Sequence, residues 1–236
     1  MPTIGVGAAA CCAYGMLAPN SNLFGRVIGR GPRSEKTLYL TFDDGPSLSA
    51  TGRILETLER EQVPATFFAV GKHVDLFPDL ARGAALGGQE VGNHTQHHAK
   101  LHLKGARFIE EELRAAHDSI ASATGRAPRS FRAPHGYQNP FLHAAARRFC
   151  YDVFGWTVGV WDSDRPGAEE IRRRVRDRRR PGAIILLHDG DGYDPLGDRS
   201  QTADALPGII RDARDSGYEF HPLRDLVAHR GLPASR

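Results

Sequence analysis

Thr37-Leu38-Tyr39-Leu40-Thr41-Phe42-Asp43-Asp44-Gly45-Pro46 is an apolar run that ends in two carboxylates and a Gly-Pro turn. Its length and its β-branched and aromatic content predict a buried strand, stopped where Gly and Pro break the pattern. Comparable runs recur at Ala65 to Val70, Glu90 to Asn93, Ser130 to Arg132, Asp152 to Thr157, Ala183 to Leu187 and Tyr218 to His221. Amphipathic stretches alternate with them: Leu48 to Glu61, Asp75 to Leu86, Lys104 to Thr124, Pro140 to Phe149, Ala168 to Arg179 and Thr202 to Ser216. Gly87, Gly125 and Gly217 stand where helix C-caps are expected. Parallel strands joined by helical crossovers follow, about seven of them, which predicts an α/β fold of the distorted (β/α) barrel type. In such folds the chemistry sits at the carboxyl ends of the strands.

The 236 residues suit one α/β core, with 40% hydrophobic and 25% charged residues and a formal charge of +3. The arginines concentrate between Arg172 and Arg180, without interleaved aromatics or a reader motif, so nucleic acid is not an expected partner. Cys11, Cys12 and Cys150 are too few for a disulfide framework, and the adjacent pair cannot bridge to itself without backbone strain. Residues 1–34 read as an irregular N-terminal leader with Gly, Pro, Asn and Ser clusters, and 35–230 as the catalytic domain. Ile4 to Pro19 is uncharged and rich in Ala and Gly, like a signal h-region or an anchor remnant, but no basic segment precedes it. Membrane association would therefore run only through this leader. Nothing in the sequence speaks to oligomeric state.

The polar residues fall on the predicted rim. Adjacent carboxylates such as Asp43 and Asp44 repel unless a cation separates their roles, one as ligand and one as base; the competing reading is that either caps the next helix. In Asn93-His94-Thr95-Gln96-His97-His98-Ala99-Lys100-Leu101-His102, His94 and His98 stand four apart and would face one way on a helical turn. His98 and His102 share that spacing, so spacing alone leaves both pairs open. Asp44, His94 and His98 match the count of a three-ligand catalytic zinc site with a position left for water. Arg132, at a strand end before Ala133-Pro134-His135-Gly136, could hold a carboxylate bidentately. His188 leaves the run Ile184-Ile185-Leu186-Leu187 just before Asp189-Gly190, which favours an acid/base role over a core one.

Thr-Phe-Asp-Asp-Gly-Pro, His-Thr-x-x-His, Arg-x-Pro-x-Gly and Leu-x-His-Asp, in this order between Glu35 and Leu226, resemble the motifs of the polysaccharide deacetylases, the NodB homology domain of carbohydrate esterase family 4. The resemblance implies a seven-stranded distorted barrel and a hydrolase that removes N-acetyl groups from an N-acetylated glycan. It further implies Asp43 as general base, oriented by Arg132, and Asp44, His94 and His98 as ligands of one divalent metal, commonly Zn2+, with Co2+ as a substitute. His188 would be the general acid, Leu187 the wall for the acetyl methyl, and a backbone N–H near His135 an oxyanion donor. An ionised Asp43 and a protonated His188 imply a bell-shaped rate profile. A cell-envelope or secreted location is the expectation from that substrate class.

The chain departs from the family pattern at three places. His135 stands where an aromatic residue is frequent. The fourth motif, Asp-x-x-Asp-Trp, reads Gly159-Val160-Trp161-Asp162-Ser163, so its first Asp and its Trp are absent. Asp162 keeps the second carboxylate and is assigned to orient His188, with Asp164 as runner-up; Trp161 would supply the groove aromatic or pack inside. A hydrolase of a small amide or cyclic ureide on the same scaffold is the rival enzyme. A non-catalytic carbohydrate-binding protein would not need Asp43 or His188, and a two-metal nuclease or phosphatase would want more carboxylates.

Overall fold

In the computed structural model, which describes residues 3–228, the quoted run forms β1 (Thr37–Asp43), buried along its whole length. It is central: β2 (Ala65–Ala69) pairs with one edge of it and β7 (Ala183–His188) with the other, both parallel. A strand covered on both faces and both edges has no polar side to show, which is why it reads as a continuous apolar run. From β2 the sheet continues through β3 (Glu90–Asn93), β4 (Ser130–Phe131) and β5 (Asp152–Val153); beyond β7 lies β6 (Val158–Gly159). A short β8 (Glu219–Phe220) pairs with Thr37 and Leu38, before β2 begins.

Two apolar layers flank the sheet. Leu38, Leu40, Phe42, Ile185 and Leu187 pack outward under α2 (Thr51–Glu61), α7 (Ala168–Arg178) and α8 (Ser200–Asp215). Tyr39, Phe68, Phe154 and Ile184 fill the barrel interior. The longest helix, α5 (Ala106–Thr124), buries Ile109, Leu113, Ala116, Ile120 and Ala123, one stripe at helical period, and stops at Gly125 in the left-handed region (φ 72°). The arginines of α7 are largely neutralised locally: Arg173 and Arg174 bond Glu170, and Arg172 bonds Asp212.

Three expectations are corrected. The strand expected over Asp152 to Thr157 is two strands, because the chain there crosses a seam: β5 pairs with β4, whereas β6 pairs with β7, and β5 and β6 do not pair with each other. The helix expected from Asp75 is α3 (Gly71–Leu76) followed by α4 (Pro78–Leu86), since Pro78 pushes Phe77 out of helical geometry (φ −129°, ψ 56°) and restarts the helix. The leader is not irregular throughout. Thr3–Leu17 forms α1, a run free of Pro and charge in which Ala favours the helix. Among the described residues no helix is long and apolar enough to cross a membrane. Leader residues also reach the seam: Ile28 bridges Phe154, Arg30 bridges Ala183, and Ile28 is buried in the interior layer. The expected ends of the leader and catalytic domain, Met1 and Arg230, lie outside the described residues.

Candidate active site

β1 and β7 end level, with Asp43 and His188 in register, so both side chains leave the same face of neighbouring strands. Asp44 follows at φ 76°. This left-handed residue breaks the strand's alternation, and both carboxylates line one cleft of about 430 Å³. Neither caps the next helix: the N-cap of α2 is Ala50, with no side-chain cap. The turn is held by Asp189, a residue without an expected role. Its buried carboxylate accepts Gly45 N–H at 3.1 Å and the Thr51 hydroxyl at 2.6 Å, and its carbonyl accepts the Ser47 hydroxyl at 2.6 Å. Gly is required at 45, where a Cβ would lie 2.1 Å from the Asp189 carboxylate. Burial and the neighbouring Asp44 and Asp43 carboxylates raise the Asp189 carboxyl to about 7.

His94 and His98 follow β3 on a loop, not on the helical turn their spacing suggested. Thr95 (φ 68°) and His98 (φ 55°) take left-handed conformations that bring the two rings to the same side. The His94 and His98 Nε2 atoms lie 3.3 and 3.1 Å from Asp44 Oδ1, and the three ligand atoms fall within 4.8 Å of one another. His94 Nδ1–H donates to the Arg132 carbonyl at 2.7 Å, so its Nε2 carries a lone pair toward Asp44. Asp44 Oδ1 is buried and accepts no hydrogen bond. An orphaned anionic oxygen facing imidazole lone pairs fits a divalent cation. Burial works against the Asp44 charge, but protonated forms of His98 and His94, with His188, would outweigh it, and these hold the carboxyl well below its ordinary range. His97 instead bonds Glu112 on α5, and His102 packs on Tyr137.

Arg132 is fully buried. It reaches Asp43 through one nitrogen only, Nη1 to Oδ1 at 2.6 Å, and not bidentately: Nη1 also donates to Thr41 Oγ1 (2.8 Å) and Nη2 to the Gly155 carbonyl (2.8 Å). Asp43 Oδ2 is left toward the metal ligands, 3.7 Å from His94 Nε2. His188 is fixed by Asp162 twice, Nδ1–H to Oδ1 at 2.8 Å and backbone N–H to Oδ2 at 2.7 Å; Thr202 also donates to Oδ2. Burial disfavours the charged imidazole, but the Asp162 carboxylate more than compensates and moves His188 up to about 9. Asp164 is exposed on the outer side, away from His188.

The methyl-wall assignment moves by one residue. Leu187 is wholly buried in the outward layer, whereas Leu186 lines the cleft. Alternation along β7 requires this, since His188 and residue 186 share a face and residue 187 points opposite. Leu187→Ala is therefore expected to cost about 2–5 kcal/mol in denaturant unfolding, whereas Leu186→Ala raises KM at nearly unchanged stability. His135 sits at the rim with a left-handed backbone (φ 58°), its ring 4.9 Å from that of His98 and its Nε2 2.8 Å from the Tyr193 hydroxyl. Burial, with His98 and Lys100 nearby, lowers it to about 4. Trp161 is exposed beside the cleft and does not pack inside. Trp156, the strand tryptophan from which the fourth motif is aligned, also lines the cleft, as does Tyr193, which no spacing in the sequence marked.

A sequence profile of the family described as polysaccharide deacetylase matches residues 30–154. The chitooligosaccharide deacetylase of Bradyrhizobium sp. (strain ANU 289) is 38% identical over 200 residues, which cover 81% of this chain and 90% of that one. The chain belongs to the polysaccharide deacetylase family. Among solved structures, the Bc1960 peptidoglycan N-acetylglucosamine deacetylase superimposes with a TM-score of 0.79 at 28% identity, covering 85% of this chain and 92% of its own. A carbohydrate esterase family 4 pseudoenzyme from Bacillus anthracis is also similar, with a TM-score of 0.77 at 30% identity over 85% of this chain and 70% of that one. Family membership accounts for the fold, and activity rests on the groups in the cleft.

Proposed function

We propose that this deacetylase hydrolyses the N-acetyl groups of a chitin-like or peptidoglycan-type glycan, releasing acetate and leaving a free sugar amine. The supporting observation is the register of Asp43 with His188 across a cleft that also holds Asp44, His94 and His98. A divalent cation held by those three residues, zinc or cobalt by the donor set, would supply Lewis acidity toward water and the acetamide carbonyl. Asp43, with Oδ1 engaged by Arg132, has Oδ2 available to take the proton of the attacking water. His188, protonated and oriented by Asp162, donates to the departing amine nitrogen. Leu186 offers the acetyl methyl an apolar surface, and the His135 loop borders the carbonyl side. A cell-envelope or secreted location follows from this substrate.

Acetate release from N-acetylglucosamine oligomers tests the proposal, with zinc or cobalt added and in parallel after chelation. Metal-dependent release supports it. A metal-loaded protein that releases none would favour the small-amide hydrolase or the non-catalytic binder. The pH profile tests the acid. His188 must be protonated, so activity falls as pH rises through its pKa, which Asp162 holds near 9. A bound cation draws that limb lower, so wild type and variant are compared with the same metal. In Asp162→Asn the largest charge opposing the burial penalty is gone, with Asp44 and Asp43 left to oppose it, and the alkaline limb should shift to lower pH by one unit or more, about 1.4 kcal/mol of lost charge stabilisation per unit. An unmoved limb would assign the titration to another group.

A further inference from the structure

The arginines left over after local pairing gather on one side of the barrel. On α7, Glu170 and Asp177 are taken up by Arg173, Arg174 and Arg176, and Asp212 of α8 by Arg172. Among the described residues, Arg30, Arg33, Arg178 and Arg180 form no ion pair. Three of them bond backbone carbonyls instead: Arg178 donates to Gly159 at 3.0 Å, Arg180 to Thr157 at 3.1 Å, and Arg30 to Pro181 at 2.8 and 3.2 Å. A carbonyl holds a guanidinium in place without cancelling its charge, so these cations are oriented and still open to an anion. Arg33, Arg178 and Arg180 are exposed, and Arg30 is half-buried.

The four act as one stripe. Burial, and then the charges of Arg33 and Arg180, lower the pKa of Arg30, the mark of cations crowded without a counter-charge. Thr157 and Gly159 stand two residues apart in extended chain, about 7 Å along the backbone. That is less than the Debye length of about 8 Å at physiological salt, so Arg180 and Arg178 attract a passing anion together.

The stripe borders the path out of the reaction site. The cleft continues past His188 into a space of about 390 Å³, whose walls include Thr157, Gly159 and, from the leader, Pro19 and Asn20. The leader is fastened there by Asn20 Nδ2, which donates to the Trp156 carbonyl at 2.8 Å, and it runs on to Arg30. The carbonyls that hold Arg178 and Arg180 therefore belong to wall residues of this space. Inside the cleft the acids Asp43, Asp44 and Asp191 outnumber Arg199, so a negative group of a substrate is better accommodated beside the reacting sugar than at it.

We propose that the glycan is acidic, and that the anionic groups on the sugars beyond the reacting N-acetylhexosamine lie along Arg178, Arg180, Arg30 and Arg33; this rests on the deacetylase reading above. A neutral chitin-like chain would leave the stripe unused.

The probe is heparosan, a polymer of alternating glucuronate and N-acetylglucosamine, and the first readout is its Kd at low and raised salt. Wild type is compared with Arg33→Glu/Arg180→Glu and with Arg107→Glu/Arg114→Glu, which changes the net charge equally on two exposed arginines of α5. The stripe pair should raise the Kd about tenfold or more at low salt, with the difference shrinking as salt is added, and the α5 pair should leave it within about twofold. In the stripe pair kcat/KM for acetate release should fall through KM, and further for heparosan than for the neutral N-acetylglucosamine tetramer. Equal losses of affinity in the two pairs would reduce the stripe to a net-charge effect and overturn the proposal. Binding of anionic phosphatidylglycerol vesicles through Arg33 and Arg180, with none of heparosan, would overturn it in favour of a lipid surface. The Kd is read without turnover, so acetate from neither glycan would overturn the deacetylase reading while the Kd values still decide the anionic contact.

Discussion

Asp43→Asn should lower kcat by roughly a hundredfold to ten-thousandfold, the usual contribution of a general base, while the protein still takes up one zinc per chain. The amide keeps the size of the carboxylate but cannot accept a proton. The metal ligands are separate groups, on the next residue and on the loop after β3, so zinc content should hold. The substitution also leaves the fully buried Arg132 without its anionic partner at 2.6 Å. Breaking such a pair costs about 3–5 kcal/mol, so the melting temperature should fall together with the rate. A variant that keeps near wild-type kcat would remove Asp43 from the chemistry and leave it as a structural partner of Arg132.

Asp44→Ala should have the complementary phenotype, lost metal and lost activity in a protein that still folds. Asp44 Oδ1 is the atom on which both imidazoles converge, at 3.1 and 3.3 Å. Removing a ligand should weaken zinc binding beyond the roughly 10- to 100-fold seen when an outer-shell partner is lost. Thermal unfolding reads this without turnover. A ligand that binds only the folded state at a hundred times its Kd adds about 2.7 kcal/mol, so wild type should melt higher with zinc and Asp44→Ala should not. An equal rise in both would place the cation elsewhere.

The central strands and their helices were legible because their signals are local: apolar runs for β1 and β7, an unbroken helical stripe for α5. The candidate ligands and the proposed acid–base pair were legible because polar residues at the ends of apolar strands are rare enough to stand out. Asp189 followed His188 in plain view, but its role as the latch of the Asp43 to Pro46 turn depends on Gly45 and Thr51, far away in sequence. The helical turn expected for His94 to His98 failed because two left-handed residues achieve the same convergence on a loop.

By itself the sequence determined the β/α order, the apolar centre of the sheet and the chemical groups available at its carboxyl edge, since each follows from side-chain period and residue type along a continuous segment. Tertiary structure alone decided which leucine faces the cleft, where the sheet breaks between β5 and β6, and that the leader walls the space beside His188. Those outcomes depend on register and on pairing between distant segments, and two-residue strands or a lone Asn20 amide carry no periodicity from which pairing could be read.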